Sequence, residues 1–209
     1  MPMPRRALIV IDVQNEYVTG DLPIEYPDVQ TSLANIGRAI DAARAARIPV
    51  VVVQNLTPPG APIFERGSDG AALHPVVASR ERDHFIEKAL PSAFTNTDLA
   101  DWLTAHDIDT LTVVGYMTHN CDASTINHAL HMGLAVEFLH DATGSVPYEN
   151  SAGFASAEEI HRVFSVVLQS RFAAVASTQQ WIAAVESGGQ LERGSIYASN
   201  QKARARTAV

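Results

Sequence analysis

The segment VVGYMTHNCDAST, residues 113–125, contains Cys121, the single cysteine of a 209-residue chain. Apolar residues and a glycine lead into it and a polar run follows, as where a strand gives way to a helix. A cysteine in the first turn of a helix meets unpaired backbone N–H groups and the positive end of the helix dipole. Both favour the thiolate, the nucleophilic form. The same N–H groups can hold the oxyanion of a tetrahedral intermediate. Free cysteine also buries readily as a small apolar residue, so chemistry at Cys121 needs a proton acceptor close by. Asp12 is a candidate, because a carboxylate ending an apolar run is costly to bury unless it is paired. A turn or helix cap is the competing role for it.

The elements that must bring these residues together are legible as periodicity. ALIVIDV (7–13), PVVVVQN (49–55) and TLTVVGY (110–116) are apolar runs without alternation, as expected of strands buried on both faces. AVEFLHDA (135–142) and FAAVAS (172–177) are weaker members of the set, and HFIEKAL (84–90) a short one. Helical spacing recurs over 32–48, 96–106, 121–133, 156–170 and 177–187, with a Ser-x-x-Glu capping signature opening the fourth. Alternating strands and helices predict a mostly parallel sheet of five or six strands covered on both faces. Ligands of such sheets bind outside the carboxyl ends of the strands where the strand order reverses. An order beginning 3-2-1-4 makes the ends carrying Asp12 and Cys121 neighbours. The longest aperiodic stretch, 56–83, reads as a functional loop, and its GSDG lacks the spacing of a phosphate-binding signature.

Composition narrows the classes. The net charge is -8, and four of the basic residues (Arg193, Lys202, Arg204 and Arg206) fall after residue 187 against one acid, Glu192. An acidic body with no basic stripe argues against a nucleic-acid partner. The reading is one domain over 1–187 and a basic C-terminal tail over 188–209. No run is long and apolar enough for a membrane span or a signal-peptide core, and one cysteine makes no internal disulfide. A cytoplasmic protein is expected.

Three motifs in order carry a family resemblance. LIVIDVQNEY, EKALPSAFTNTDL and VVGYMTHNCDASTINHALHMG resemble the signature segments of the isochorismatase-like cysteine hydrolases, a superfamily that includes nicotinamidases and N-carbamoyl amide hydrolases. Asp12 with Gln14, Lys88 with Ser92, Ala93, Phe94 and Thr97, and Gly115 with Thr118 and Cys121 stand at the pattern positions. The likeness runs from about residue 5 to 187. It implies a three-layer α/β/α fold of isochorismatase-like, Rossmann-like topology. It also implies that Cys121 is the nucleophile, Asp12 the general base, and Lys88 the cation that holds both. A cis peptide at Tyr116–Met117 is implied as well, with the N–H groups of Met117 and Cys121 forming the oxyanion hole. Gln14, Tyr17, Tyr116 and His119 fall where the family lines its pocket.

The expected activity is hydrolysis of a small-molecule amide or carbamoyl C–N bond through a thioester-type intermediate. Vinyl-ether hydrolysis of the isochorismatase type is the rival enzyme reading, disfavoured by Cys121. A catalytically silent binding protein on the same fold is the third. No metal and no cofactor are expected. The histidines form no ligand set, and residues 54–60, QNLTPPG, lack the Asp-x-His pair of metal-dependent nicotinamidases. The implied partner is a small-molecule substrate, and the resemblance implies a homo-oligomer. Asp122, where relatives carry a small apolar residue, departs from the pattern. Its carboxylate would oppose the thiolate unless it turns away or caps the helix.

Overall fold

The computed structural model describes residues 3–207 of the chain. Six strands form one parallel sheet: β1 Arg6–Ile11, β2 Val50–Asn55, β3 His84–Lys88, β4 Thr110–Tyr116, β5 Ala135–Gly144 and β8 Ala174–Ala176. Their order is β3-β2-β1-β4-β5-β8. The chain runs outward from β1 through β3 and then crosses back to the other side of β1, so the order reverses between β1 and β4. A separate antiparallel hairpin, β6 Tyr148–Asn150 with β7 Gly153–Ala155, follows β5.

The helices are α1 Val29–Ala45, α2 Pro75–Ala78, α3 Leu99–Ala105, α4 Ala123–His131, α5 Ala157–Arg171, α6 Thr178–Ser187 and α7 Ile196–Thr207. Two cores result from the two faces of the sheet. Leu8, Val10, Val50, Val52 and Val114 pack with Ile36 and Ile40 of α1 and Trp181 of α6. Ile9, Ile11, Val51, Val53 and Val113 pack with Leu99 of α3, Ile126 of α4 and Leu168 of α5. Neighbouring residues of one strand thus serve opposite cores, which is why the strands read as continuous apolar runs. Each fully buried side chain of this size contributes about 1.5–3 kcal/mol.

The three layers expected from the sequence are present, and HFIEKAL supplies the edge strand β3. The loop over 56–83 contains one short helix, α2, begun by Pro75 and capped by the His74 ring accepting from the Val76 N–H. The ends of α5 and α6 follow their capping boxes, Ser156 with Glu159 and Ser177 with Gln180. Within the basic tail, residues 196–207 are helical. Ala208 and Val209, the last residues of that expected tail, lie outside the described residues.

Candidate active site

Five adjacent strands deliver polar side chains to one edge of the sheet. Asp12 follows β1, Asn55 ends β2, Lys88 ends β3, Cys121 lies just after β4, and Thr143 is near the end of β5. Asp12 has a left-handed backbone, φ 51°, which turns the chain out of the strand. Its N–H still donates to the Val53 carbonyl at 3.0 Å. Gly115 lets β4 pass close to β1: its φ is +119°, and a Cβ there would fall 2.0 Å from the Ile11 carbonyl oxygen. The Tyr116–Met117 peptide is cis, and a π-helical turn, Thr118–Asp122, then leads into α4. Cys121 therefore sits in this turn rather than in the first turn of a regular α-helix.

Lys88 is buried, and its Nζ lies 2.6 Å from Asp12 Oδ2. It also donates to Cys121 Sγ at 3.2 Å and to Asn55 Oδ1 at 3.4 Å. One ammonium thus bridges carboxylate and sulfur. The second carboxylate oxygen, Asp12 Oδ1, has no hydrogen-bond partner among the described residues. The segment after Lys88 is fastened to α4: the Ala93 N–H donates to Thr125 Oγ1 at 3.0 Å, and Ser92 Oγ lies 3.1 Å from His128 Nδ1. Phe94 stacks on the same histidine ring. This gives the Ser-Ala-Phe motif a physical role, because it clamps the end of β3 to the helix that carries the cysteine.

Electrostatics at the trio are dominated by desolvation. Burial raises the Asp12 carboxyl above its usual value, with Lys88 pulling the other way. Burial opposes the Lys88 charge, but the neighbouring Asp12 and Cys121 outweigh it and hold the ammonium above its usual value. Burial, then the Asp12 charge, push the Cys121 thiol well up. Desolvation and the Asp12 charge thus act against the thiolate that a helix terminus would favour.

The structure places the other sequence candidates in distinct roles. Gln14 is fully buried and its amide is committed to backbone: Nε2 donates to Asn55 O at 2.9 Å and Ala71 O at 2.7 Å, and Oε1 accepts from Asn55 N–H. It clamps the 56–83 loop to β1 and β2 instead of presenting polar atoms to a substrate. Tyr116 is likewise buried, its hydroxyl 2.7 Å from Ser32 Oγ. Tyr17 packs between the rings of Phe64 and Tyr116. His119 is half-buried, with Nδ1 3.2 Å from Ser145 Oγ and Nε2 2.9 Å from the Tyr148 hydroxyl. Burial lowers it to about 4, so it is neutral.

Sequence reasoning missed Asn55, Tyr148, Thr143 and His161. Asn55 carried the same signal as Asp12, a polar residue closing an apolar strand. Tyr148 carried none, since the hairpin that presents it is too short to show a period. No group of three His, Cys, Asp or Glu that could hold a metal ion occurs among the described residues.

The model of the isochorismatase domain matches residues 6–180. The chain belongs to the isochorismatase family. It is 81% identical to a Burkholderia xenovorans LB400 protein assigned to the isochorismatases, whose crystal structure superimposes with a TM-score of 0.98 over 99% of this chain and 100% of that one. The secreted isochorismatase effector Isc1 of Verticillium dahliae is 31% identical over 168 residues, 78% of this chain and 87% of that protein. The ureidoacrylate amidohydrolase RutB of Agrobacterium fabrum is 28% identical over 170 residues, 66% of this chain and 75% of its own. This chain is thus an enzyme of the isochorismatase family, a group of hydrolases with amidohydrolase members. No helix among its described residues is long and apolar enough to cross a membrane.

Proposed function

We propose that this isochorismatase-family hydrolase cleaves a small-molecule amide or carbamoyl C–N bond by covalent catalysis at Cys121. The observation that carries this reading is the single ammonium of Lys88 held between Asp12 Oδ2 and Cys121 Sγ. Asp12, with one oxygen unpartnered, takes the thiol proton as Sγ attacks the substrate carbonyl carbon. The C–N bond breaks, and the proton passes from Asp12 to the leaving nitrogen. A thioester or thiocarbamate remains on Cys121. Water, deprotonated by Asp12, then attacks it and the sulfur departs to recover its proton. Lys88 offsets the charge of Asp12 throughout. The backbone N–H groups of Met117 and Cys121 are assigned to the oxyanion. Tyr17 and His119 form part of the wall that the substrate meets.

Trapping the intermediate tests this directly. Amides and carbamoyl compounds that release ammonia on incubation should, after acid quench, leave a mass increment on the peptide containing Cys121. Turnover without that increment, and undiminished in Cys121→Ala, would remove covalent catalysis. The chemistry uses no metal or cofactor, so exhaustive chelation should leave the rate unchanged. Restoration of a lost rate by zinc or manganese would overturn that point.

The names of the Verticillium and Burkholderia relatives favour a second reading, hydrolysis of a vinyl ether. That reaction has no need of a nucleophilic sulfur, so activity on isochorismate surviving in Cys121→Ala would select it. A silent binding protein would leave Cys121 slow to react with iodoacetamide and all substrates untouched. A reducing compartment such as the cytoplasm suits a working free thiol.

We propose also that the chain works as a homo-oligomer. Val163, Val166 and Val167 form an exposed stripe on α5, and Ile196 and Tyr197 are exposed on α7. A 12-residue helix exposed along almost its whole length is marginal in water on its own.

A further inference from the structure

Asp122, next to the nucleophile, has no part in the steps above, yet it is fully buried. Its side chain makes no cap bond to α4. It turns instead toward β5, where Thr143 Oγ1 donates to Oδ2 at 2.5 Å. Thr143 Oγ1 lies 3.0 Å from Thr118 Oγ1, which lies 3.0 Å from Nδ1 of His161 on α5. Burial lowers His161 to about 4, so its ring is neutral. Thr118 Oγ1 also donates to the Gly144 carbonyl at 3.1 Å, so the hydroxyl that reaches Asp122 is that of Thr143, at Oδ2. Oδ1 has no partner among the described residues.

The charge count of this buried region is decisive. The titratable groups of this buried region are Asp12 and Tyr17 beyond β1, Lys88 of β3, Tyr116 of β4, Cys121 and His119 of the same turn, Tyr148 of the hairpin, His161 of α5 and, acting on His161, His140 of β5. Lys88 is the only lysine or arginine in that set, and Asp12 occupies it at 2.6 Å. An ionised Asp122 would be a second buried carboxylate with no counter-ion and one oxygen without any donor. A neutral acid leaves only a hydroxyl unpaired, a far smaller cost.

We propose that Asp122 stands in the working enzyme as a neutral acid, a positioning residue whose ionisation shuts down attack by Cys121. The chain of Thr143, Thr118 and His161 holds the turn by its Oδ2 while the proton stays on the carboxyl. Losing that proton adds a second negative charge, beyond that of Asp12, to the buried region in which the thiolate and the oxyanion develop, and both are disfavoured. The ordinary titration of a buried acid pushed up by desolvation, here to about 7, puts the change near neutrality.

The proposal rests on Cys121 as nucleophile, so one arm of the test is independent of catalysis. Infrared difference spectra of the wild-type enzyme should show a protonated-carboxyl C=O band near pH 6 that is lost by about pH 8. It should persist in Asp12→Asn and vanish in Asp122→Asn. No such band at pH 6 would overturn the proposal, whatever the fate of the covalent mechanism. In the kinetic arm, kcat/KM of the wild type should fall about tenfold from pH 6 to pH 8, as one group titrates near 7. Asp122→Asn, an uncharged isostere, should lose this fall. The same fall in Asp122→Asn would assign it to another group and overturn the switch.

Discussion

Burial and the charge of Asp12 both oppose ionisation of Cys121, so in the proposed mechanism its proton leaves as the new bond to sulfur forms. Cys121→Ala and Cys121→Ser should therefore abolish turnover while leaving thermal melting nearly unchanged, as activity and calorimetry on the same preparations will show. Asp12→Asn keeps the shape and loses the base, which should slow the chemical step by about 10²-fold or more; single-turnover kinetics read that step. In the proposed mechanism Asp12 acts as the carboxylate, and its folded-state value is raised. Activity should accordingly decline as pH falls through that raised value, at a higher pH than an ordinary aspartate near 3.9 would give. A pH–rate profile in Asp122→Asn isolates this acid limb. The trio was legible in the sequence because each member sits in a motif at the end of an element. The sense of the thiol shift was not, since it depends on burial produced by groups from distant parts of the chain. The commitments of Gln14 to Asn55 and Ala71, and of Tyr116 to Ser32, were hidden for the same reason.

Among the elements, β1 and β4 carry the tightest geometric demand. Gly115→Ala would push a methyl into the Ile11 carbonyl at 2.0 Å and impose a strained backbone at φ +119°. We expect a loss of roughly 3 kcal/mol or more, read by denaturant unfolding, with activity falling alongside as Asp12 and Cys121 separate. Unchanged unfolding would mean that the strands tolerate a wider gap. The six parallel strands and five of the helices follow from apolar runs and helical spacing, because burial on both faces leaves an unbroken apolar run and burial of one helix face leaves a period. The hairpin of β6 and β7 leaves none, being three residues on each side. Helix α7 was readable only by propensity: Ala, Gln, Lys and Arg favour helix, but it has no apolar face to announce it.

For the whole molecule, the exposed valine stripe of α5 and the uncovered α7 make association the expected state. Sedimentation equilibrium at micromolar concentration should give a mass well above the 22.5 kDa of one chain. Deleting residues 192–209 should lower the number of chains per particle, and an unchanged number with full activity would place α7 outside the interface. The body of the molecule is ordered by something subtler than its cores. Arg6 opens β1 in a buried ion pair with Glu137 at 2.7 Å, and Asp12 follows the same strand in the pair with Lys88. A two-residue slip of β1 along its neighbours would return every apolar side chain to its own face, since the strand repeats every two residues. The slip would nevertheless carry both charges away from their partners at once, at several kcal/mol each. The two ion pairs thus act as the end stops of a ruler, and β1 fits between them at one setting only.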